Sequence, residues 1–376
     1  MILNNIKLEN FTNYDSVQCN LDECINIFIG DNGQGKSNLL DSIYYVATEN
    51  SARNNKDRDL ILWGRDYFKI SASFLNKFGS NNIEISYDKK KKDGKKSLFL
   101  NHYEIEKLKD YIGYFSAVFF SPEDLYIVKG DPILRRKYMD DELIQTENKY
   151  FIYINQYKKI LEQRNSLLKE AYRRQNLLNS MDVWEEQLSK YGTVILKSRI
   201  DMVHHLKNMA GEIHNYLTDG EETLDVIYKS KLPISLLETG QLASFQSLYF
   251  NQLKESRMKD LEKGYTLIGP HRDDLNLMIN GTSARKFGSQ GQQRTAALSL
   301  KIAEVKLIKS KKGEYPILLL DDVLSELDKK RKNKLFLSLE KDIQTVITST
   351  DLNDIDTLIR EKAKIIEIKK GTLKER

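Results

Sequence analysis

The stretch CINIFIGDNGQGKSNLLDSIYYVA, residues 24–47, decides how this chain folds. Residues 24–29 are apolar at short spacing with β-branched members, which is a strand pattern. Residues 38–47 carry Leu39, Leu40, Ile43, Tyr44 and Ala47 at helical spacing, with no Gly or Pro to break the run. Between the two, Gly30-Asp31-Asn32-Gly33-Gln34-Gly35-Lys36-Ser37 matches the phosphate-loop pattern in full. Glycines let backbone N–H groups turn inward around phosphates, and the following helix aims its partly positive N-terminus at them. Gly30 through Ser37, with Asn38, is the expected cradle for ATP. Lys36 should reach the β and γ phosphates and the Ser37 hydroxyl should ligate Mg2+.

Such a loop needs an acid at the end of a neighbouring strand. Ile317-Leu318-Leu319-Leu320-Asp321-Asp322 provides four aliphatics for the strand, then Asp321 at its mouth to hold the metal through water. Asp322 follows, where a carboxylate can orient or deprotonate attacking water, so Asp322, Asp321 and Lys36 form the expected catalytic set. Ser37 and Asp321 are the expected Mg2+ ligands. The two halves lie at opposite ends of the chain, which implies an insertion between them.

The rest of the chain agrees. Residues 2–11 read as a strand, and residues 83–101 as two strands around the basic tip KKKKDGKK, turned at Asp93-Gly94. Residues 114–120 form an apolar run that stops at Ser121-Pro122. From 132 to 217 helical spacing takes over, with stripes Ile154, Tyr157, Leu161, Leu168 and Met181, Trp184, Leu188, Tyr191, Ile195. These predict a short helical hairpin joined by the polar residues 173–180. Residues 223–228 read as a strand, and residues 229–264 have no clear period. Strands at 265–268, 316–320, 344–348 and 365–368 alternate with helices at 292–309 and 330–341, the pattern of a largely parallel sheet. The expected fold is α/β, a phosphate-loop ATPase head built from both chain ends with a mainly helical lobe inserted. The expected boundaries are 1–125 and 256–376 for the head and 126–255 for the lobe.

At 376 residues and 40% hydrophobic content, the chain can bury a large core. No segment is apolar for long enough to cross a membrane and the N-terminus lacks signal-peptide order, so the expected location is the cytoplasm. Cys19 and Cys24 lack the partners of a zinc set and read as reduced thiols. The net charge of +5 permits a polyanion without requiring one, and the clustering says more than the sum. Lys89, Lys90, Lys91, Lys92, Lys95 and Lys96 form one basic run, Arg135, Arg136 and Lys137 a second, and residues 329–332 a third.

Gly288-Ser289-Gln290-Gly291-Gln292, ahead of a helix and of the acidic strand, resembles the signature motif of the ABC ATPase superfamily. A plain helix cap at Ser289 explains part of the pattern. The resemblance implies that Ser289, Gln290, Gly291 and Gln292 complete the γ-phosphate site of a second, facing copy. Ser325-Glu326-Leu327-Asp328 likewise resembles the loop that crosses that dimer interface.

Within the superfamily the chain resembles the RecF family along its whole length. The residues that carry this are Asn10-Phe11-Thr12-Asn13-Tyr14, Phe120-Ser121-Pro122-Glu123-Asp124-Leu125, Arg135-Arg136 ahead of Met139-Asp140, Gly269-Pro270-His271-Arg272-Asp273-Asp274, Gly288 to Arg294, and Leu320 to Asp328. The resemblance implies an ATP- and DNA-binding factor of recombinational repair that dimerises head to head, favours single-strand gaps, and works with RecR and RecO to help load RecA. Thr12 stands where that family is expected to have arginine. Asp322 replaces the usual glutamate of transporter-type ABC proteins, Thr348-Ser349-Thr350 stands where their switch histidine would be, and Ser121-Pro122 where their glutamine would be. These departures predict slow hydrolysis and disfavour a transporter subunit; a small-molecule kinase is the other rival.

No base-reading motif is present, so DNA contacts should be to phosphates, first through Lys89 to Lys96 and Arg135 to Lys137. The alternatives are a solvated hairpin tip and an internal ion pair of Arg135 or Arg136 with Asp140 or Asp141. His271 is either catalytic or part of a turn held by hydrogen bonds.

Overall fold

Residues 2–11 form the strand Ile2–Phe11, which buries Leu3, Ile6 and Leu8 on one face. Leu3 is out of step with strict alternation. The pairing with Tyr67–Asn76 shifts between Leu3 and Asn5, and this irregularity returns Leu3 to the inner face. The computed structural model describes residues 1–53, 55–91, 94–107, 110–171, 180–338 and 342–375.

By contact the chain divides into two units. The first comprises Met1–Asp124, Tyr216–Asp219 and Leu298–Arg376; the second comprises Leu125–Asn215 and Gly220–Ala297. The second unit therefore extends past the expected boundary at 255 and takes in residues up to 297.

The first unit contains two six-stranded sheets. One is antiparallel, in the order Tyr14–Asn20, Ile2–Phe11, Tyr67–Asn76, Gly79–Asp88, Lys95–Leu100, Tyr103–Glu104. The other runs Thr372–Glu375, Ala363–Lys369, Ile25–Ile29, Thr345–Ser349, Ile317–Leu320, Ala117–Phe120, and every neighbouring pair is parallel except the first. Ile317–Leu320 is buried along its whole length, as four consecutive aliphatics in a parallel sheet should be.

The helix Lys36–Thr48 shares one core with the inner faces of both sheets. Leu39, Leu40, Ile43, Tyr45 and Val46 are all at 0% exposure, so the helix is apolar on more than one face because it is covered on more than one face. Each such side chain contributes about 1.5–3 kcal/mol. Phe11, Tyr45 and Phe68 meet edge to face within it. Cys19 is buried on the strand Tyr14–Asn20, Cys24 is exposed just before Ile25–Ile29, and both are free thiols.

The second unit is mainly helical, with Leu125–Lys129, Pro132–Thr146, Asn148–Ala171, most of Met181–Leu217, Ser235–Glu238 and Leu242–Lys263. A small antiparallel sheet orders Thr282–Ser283, Asp274–Ile279 and Leu224–Lys229. Of the expected hairpin connection at residues 173–180, all but Ser180 lies outside the described residues. Residues 229–264, without a clear period in the sequence, hold the helix Leu242–Lys263.

The expected strand at 265–268 does not form. Side chains take over the bonds a ladder would have made: Thr266 N–H donates to Asn165 Oδ1 at 2.8 Å, Leu267 N–H to Asp260 Oδ1 at 3.0 Å, and the Thr266 carbonyl accepts from Arg272 Nε at 3.1 Å. The helix expected at 330–341 runs Lys329–Ser338, and residues 339–341 lie outside the described set. Among the described residues, no helix is long and apolar enough to cross a membrane.

Candidate nucleotide site

The phosphate loop leaves the carboxyl end of Ile25–Ile29, an interior strand of the parallel sheet. Ligands of open parallel sheets bind at that end. Gly35 has φ +113, and a Cβ there would lie 2.5 Å from Asn13 Nδ2 and 2.8 Å from the Tyr14 hydroxyl, so glycine is required. Those two neighbours brace the loop. Tyr14 OH donates to the Gly35 carbonyl at 2.9 Å, Asn13 Nδ2 to the Gln34 carbonyl at 3.2 Å, and Asn38 Nδ2 to Asn13 Oδ1 at 2.8 Å. From the other side, Lys370 N–H donates to Gln34 Oε1 at 2.7 Å. The motif around Asn13-Tyr14 is thus a mount for the loop. Thr12 spends its hydroxyl on the Phe11 carbonyl at 2.8 Å.

Lys36 opens the helix and is 4% exposed. Its ammonium donates to the Gly30 carbonyl at 2.7 Å and the Asp31 carbonyl at 3.1 Å. Both acceptors are neutral, so an anion is a stronger partner for this cation than either. Asp31, Asn32 and Gly33 are exposed, while Ser37 and Asn38 are partly covered.

Asp321 is 5% exposed at the end of Ile317–Leu320. Asp322 follows with φ +53, a left-handed backbone tolerated by aspartate at a cost. Thr348, at the end of the intervening strand Thr345–Ser349, joins the two acids. Its hydroxyl accepts from Asp322 N–H at 2.8 Å and has Asp321 Oδ1 at 3.0 Å and Asp322 Oδ1 at 3.3 Å. The sequence shows only that a histidine is missing here, and gives no hint that Thr348 ties the acids together.

Arg53 is a second residue that sequence reasoning missed. Its guanidinium donates to Asp321 Oδ2 at 3.1 Å. The residues leading to it are held by Asp41, 1% exposed, which accepts from Ser51 Oγ at 2.7 Å and Ala52 N–H at 2.6 Å. Burial pushes the Asp41 carboxyl above its ordinary range, against the pull of those hydrogen bonds. Arg53 lies in the polar run NSARNNKDRD, where periodicity carries no signal.

In the second unit, Ser289 is exposed and precedes the helix Gln290–Lys312. Ser289 N–H donates to Gln292 Oε1 at 2.8 Å and Gln292 N–H donates to Ser289 Oγ at 3.2 Å, a reciprocal capping box. In the single chain, therefore, the serine caps its own helix. In the first unit, the loop resembling the dimer-crossing segment is held by local bonds: Ser325 Oγ donates to the Asp322 carbonyl at 2.7 Å, and Asp328 Oδ1 accepts from Arg331 N–H at 2.8 Å.

The expected DNA contacts divide. Lys89, Lys90, Lys91 and Lys95 are exposed, and Lys92 and Asp93 lie outside the described residues. Lys96 is removed from the set because it turns inward, 3.1 Å from Asp57, 3.7 Å from Glu49, and over the Tyr45 ring. Arg135 is also removed. It is 2% exposed and holds Asp274 with two parallel bonds of 2.6 and 3.0 Å, while donating to the Ile127 and Gly130 carbonyls. Its partner is thus neither Asp140 nor Asp141. Half-buried Arg136 donates to the Asp273 carbonyl at 2.8 Å, and Lys137 pairs with Asp141 at 3.2 Å.

Asp140 instead accepts from Arg199 at 2.7 Å and Tyr150 at 2.5 Å, and Arg199 reaches the Pro270 carbonyl at 2.7 Å. The stretches 135–140 and 269–274 therefore form one interior cluster. His271 is a turn residue within it: Nε2–H donates to the Thr266 carbonyl at 3.1 Å and Nδ1 accepts from Tyr157 OH at 2.7 Å. Burial, with Arg272 and Arg136 nearby, holds its pKa down at about 4.

A braced phosphate loop and a joined acid pair at the carboxyl ends of one parallel sheet define a phosphate-loop ATPase head of the SMC and ABC kind. Across residues 2–373 the chain matches the family described as RecF/RecN/SMC N terminal domain. It is 41% identical over 373 residues to the DNA replication and repair protein RecF of Bacillus cytotoxicus, covering 99% of this chain and 98% of that protein, and 40% identical to RecF of Bacillus cereus, at 99% and 98% coverage. The solved structure of the recombination mediator protein RecF-ATP in the RecFOR pathway superposes with TM-score 0.88 at 32% identity, covering 100% of this chain and 97% of the other. An SMC head bound to the ScpA winged-helix domain superposes at TM-score 0.57 and 18% identity, over 100% and 97%, a likeness of fold. The chain belongs to the RecF family of DNA replication and repair proteins.

Proposed function

We propose that this chain binds Mg-ATP at the phosphate loop and uses it to close two copies around DNA, with slow hydrolysis releasing them. The observation that carries the reading is the Lys36 ammonium, almost removed from water yet resting on two neutral carbonyls beside the mounted glycine turn. An anionic phosphate suits that cation and those inward amides. Gly30 to Asn38 would hold the triphosphate, and Ser37 and Asp321 would hold Mg2+, which would supply neutralisation of the phosphate charge. Asp322 orients water. Being one methylene shorter than glutamate, it reaches less far, and a misplacement of ~1 Å costs ~100-fold in rate.

Ser289 to Gln292 serve the facing copy, for which the exposed helix terminus is suited. Residues 1–125 with the C-terminal segment act as the head, and the helical segment between as the lobe. Membership of the family, together with a solved relative that is RecF-ATP of the RecFOR pathway, supports a cytoplasmic protein that acts at single-strand gaps with RecR and RecO ahead of RecA. Binding is to DNA phosphates, so affinity should fall steeply with salt and vary little with sequence.

Molecular mass in solution tests the reading. A monomer without nucleotide and a dimer with Mg-ATP, strengthened by gapped DNA, is the expected result. Ser289→Arg should bind ATP and stay monomeric; a dimer formed by that variant sinks the assignment in trans.

A further inference from the structure

Trp63 is 95% exposed, more than any other large apolar side chain among the described residues. It does not hang on a loose loop. Leu62 N–H donates to the Asn10 carbonyl at 2.8 Å, and Arg65 N–H donates back to the Leu62 carbonyl at 2.9 Å, closing a tight turn with Trp63 and Gly64 at its centre. Gly64 has φ +84, the value that the third position of a type II turn demands. The sheet therefore holds an uncovered indole outward, where its apolar area gains nothing until something covers it.

Its surroundings are charged. Lys89 donates its ammonium to the Arg65 carbonyl, so the basic hairpin lies against this turn. Lys89 and Lys90 share the Asp66 carboxylate at 3.3 and 2.5 Å, and Arg65 pairs with Asp15 at 2.7 Å. These are exposed pairs of small net value, so the cations can exchange their carboxylates for phosphates. A lone ring among exchangeable cations fits a nucleic-acid base better than a protein hot spot, whose anchors sit in an apolar, water-excluding surround.

We propose that Trp63 is a stacking platform for an unpaired base of single-stranded DNA, with Arg65, Lys89 and Lys90 on the adjoining phosphates. The inference rests on the DNA-binding reading above and adds the side chains that would recognise unpaired bases. Duplex bases are stacked on one another and offer no free face, so the platform selects unpaired DNA.

The chain has two tryptophans, so Trp184→Phe leaves Trp63 as the sole indole reporter. The full-length variant with Mg-ATP is titrated with labelled oligothymidylate and with relaxed closed-circular duplex, which has no ends, following Trp63 emission and DNA anisotropy together. Oligothymidylate should quench the emission and duplex should not. Trp63→Ala should lower single-strand affinity on the order of tenfold with duplex affinity unchanged, and Trp63→Phe should restore most of it. Oligothymidylate binding with silent Trp63 emission and an unaffected Trp63→Ala variant overturns the inference alone. Quenching by Mg-ATP without DNA assigns the ring to a contact between copies and overturns it too. Absence of binding to any DNA overturns the DNA-binding reading along with it.

Discussion

The nucleotide site of the first unit and the interior of the second both keep charged groups away from water, but they satisfy them differently. In the second unit Arg164, Glu185 and Asp260 are each at 0% exposure. Arg164 bonds to Glu185 at 2.8 Å, Asp260 at 2.7 Å and the Thr266 hydroxyl at 2.8 Å. These ions have one another as fixed partners. At the nucleotide site Lys36 rests on loop carbonyls and Asp321 on an arginine whose side chain is 40% exposed, partners that can be exchanged. Fixed pairing makes a scaffold, and exchangeable pairing makes a binding site.

The hardest test of this contrast is Arg164→Met, which takes the cation from buried Asp260 and leaves Glu185 with Arg257 alone. It should cost about 3–5 kcal/mol in urea unfolding. A loss below ~1 kcal/mol would show that the triad is not the scaffold described. Lys36→Ala should behave oppositely, lowering Mg-ATP affinity by about 10- to 100-fold in calorimetry while changing stability by less than ~1 kcal/mol.

A third test uses acid. His271, with pKa near 4 in the fold against an ordinary 6.5, contributes stability that is present above 6.5 and lost as pH falls toward 4. Asp273 is pushed up to about 6 by burial, with Tyr228 and Arg199 pulling the other way. Its contribution is full below 3.8 and lost as pH rises through 6. The two oppose each other across one window. Asp273→Asn should therefore lose stability more steeply than the parent between pH 6.5 and 4, and His271→Asn should reverse that slope, read from urea midpoints against pH. Smallest of all, Arg53→Gln should change stability by less than ~1 kcal/mol, because its ion pair is partly open to water. A larger loss on thermal melting would place Arg53 among the fixed partners.

What the sequence disclosed follows the same division. The phosphate loop, the acidic strand and the parallel sheet were legible because each is a local pattern with a mechanical reason. The interior ions were not. The predicted stripe through Ile154, Tyr157, Leu161 and Leu168 is displaced: Ile160 is buried in place of Leu161, and Arg164 lies on the same covered face. Periodicity counts apolar residues and cannot anticipate a charged residue whose partner arrives from a distant segment. Arg135 and Lys96 failed as surface cations for that reason, since Asp274 and Glu49 are far away in the chain. Leu242–Lys263 escaped because its buried line, Phe245, Tyr249, Leu253, Asp260 and Leu261, is narrow and includes an acid.

The Arg164–Asp260 bond spans 96 residues, and this imposes a schedule on synthesis. At roughly 5–20 residues per second, Arg164 leaves the ribosome several seconds or more before its second counter-ion is made. The nascent helices must wait in that interval with a guanidinium half compensated, a stage open to chaperones and proteases. Chains stalled before and after residue 260 has emerged should differ sharply in protease resistance; equal resistance would show that closure does not wait for the aspartate.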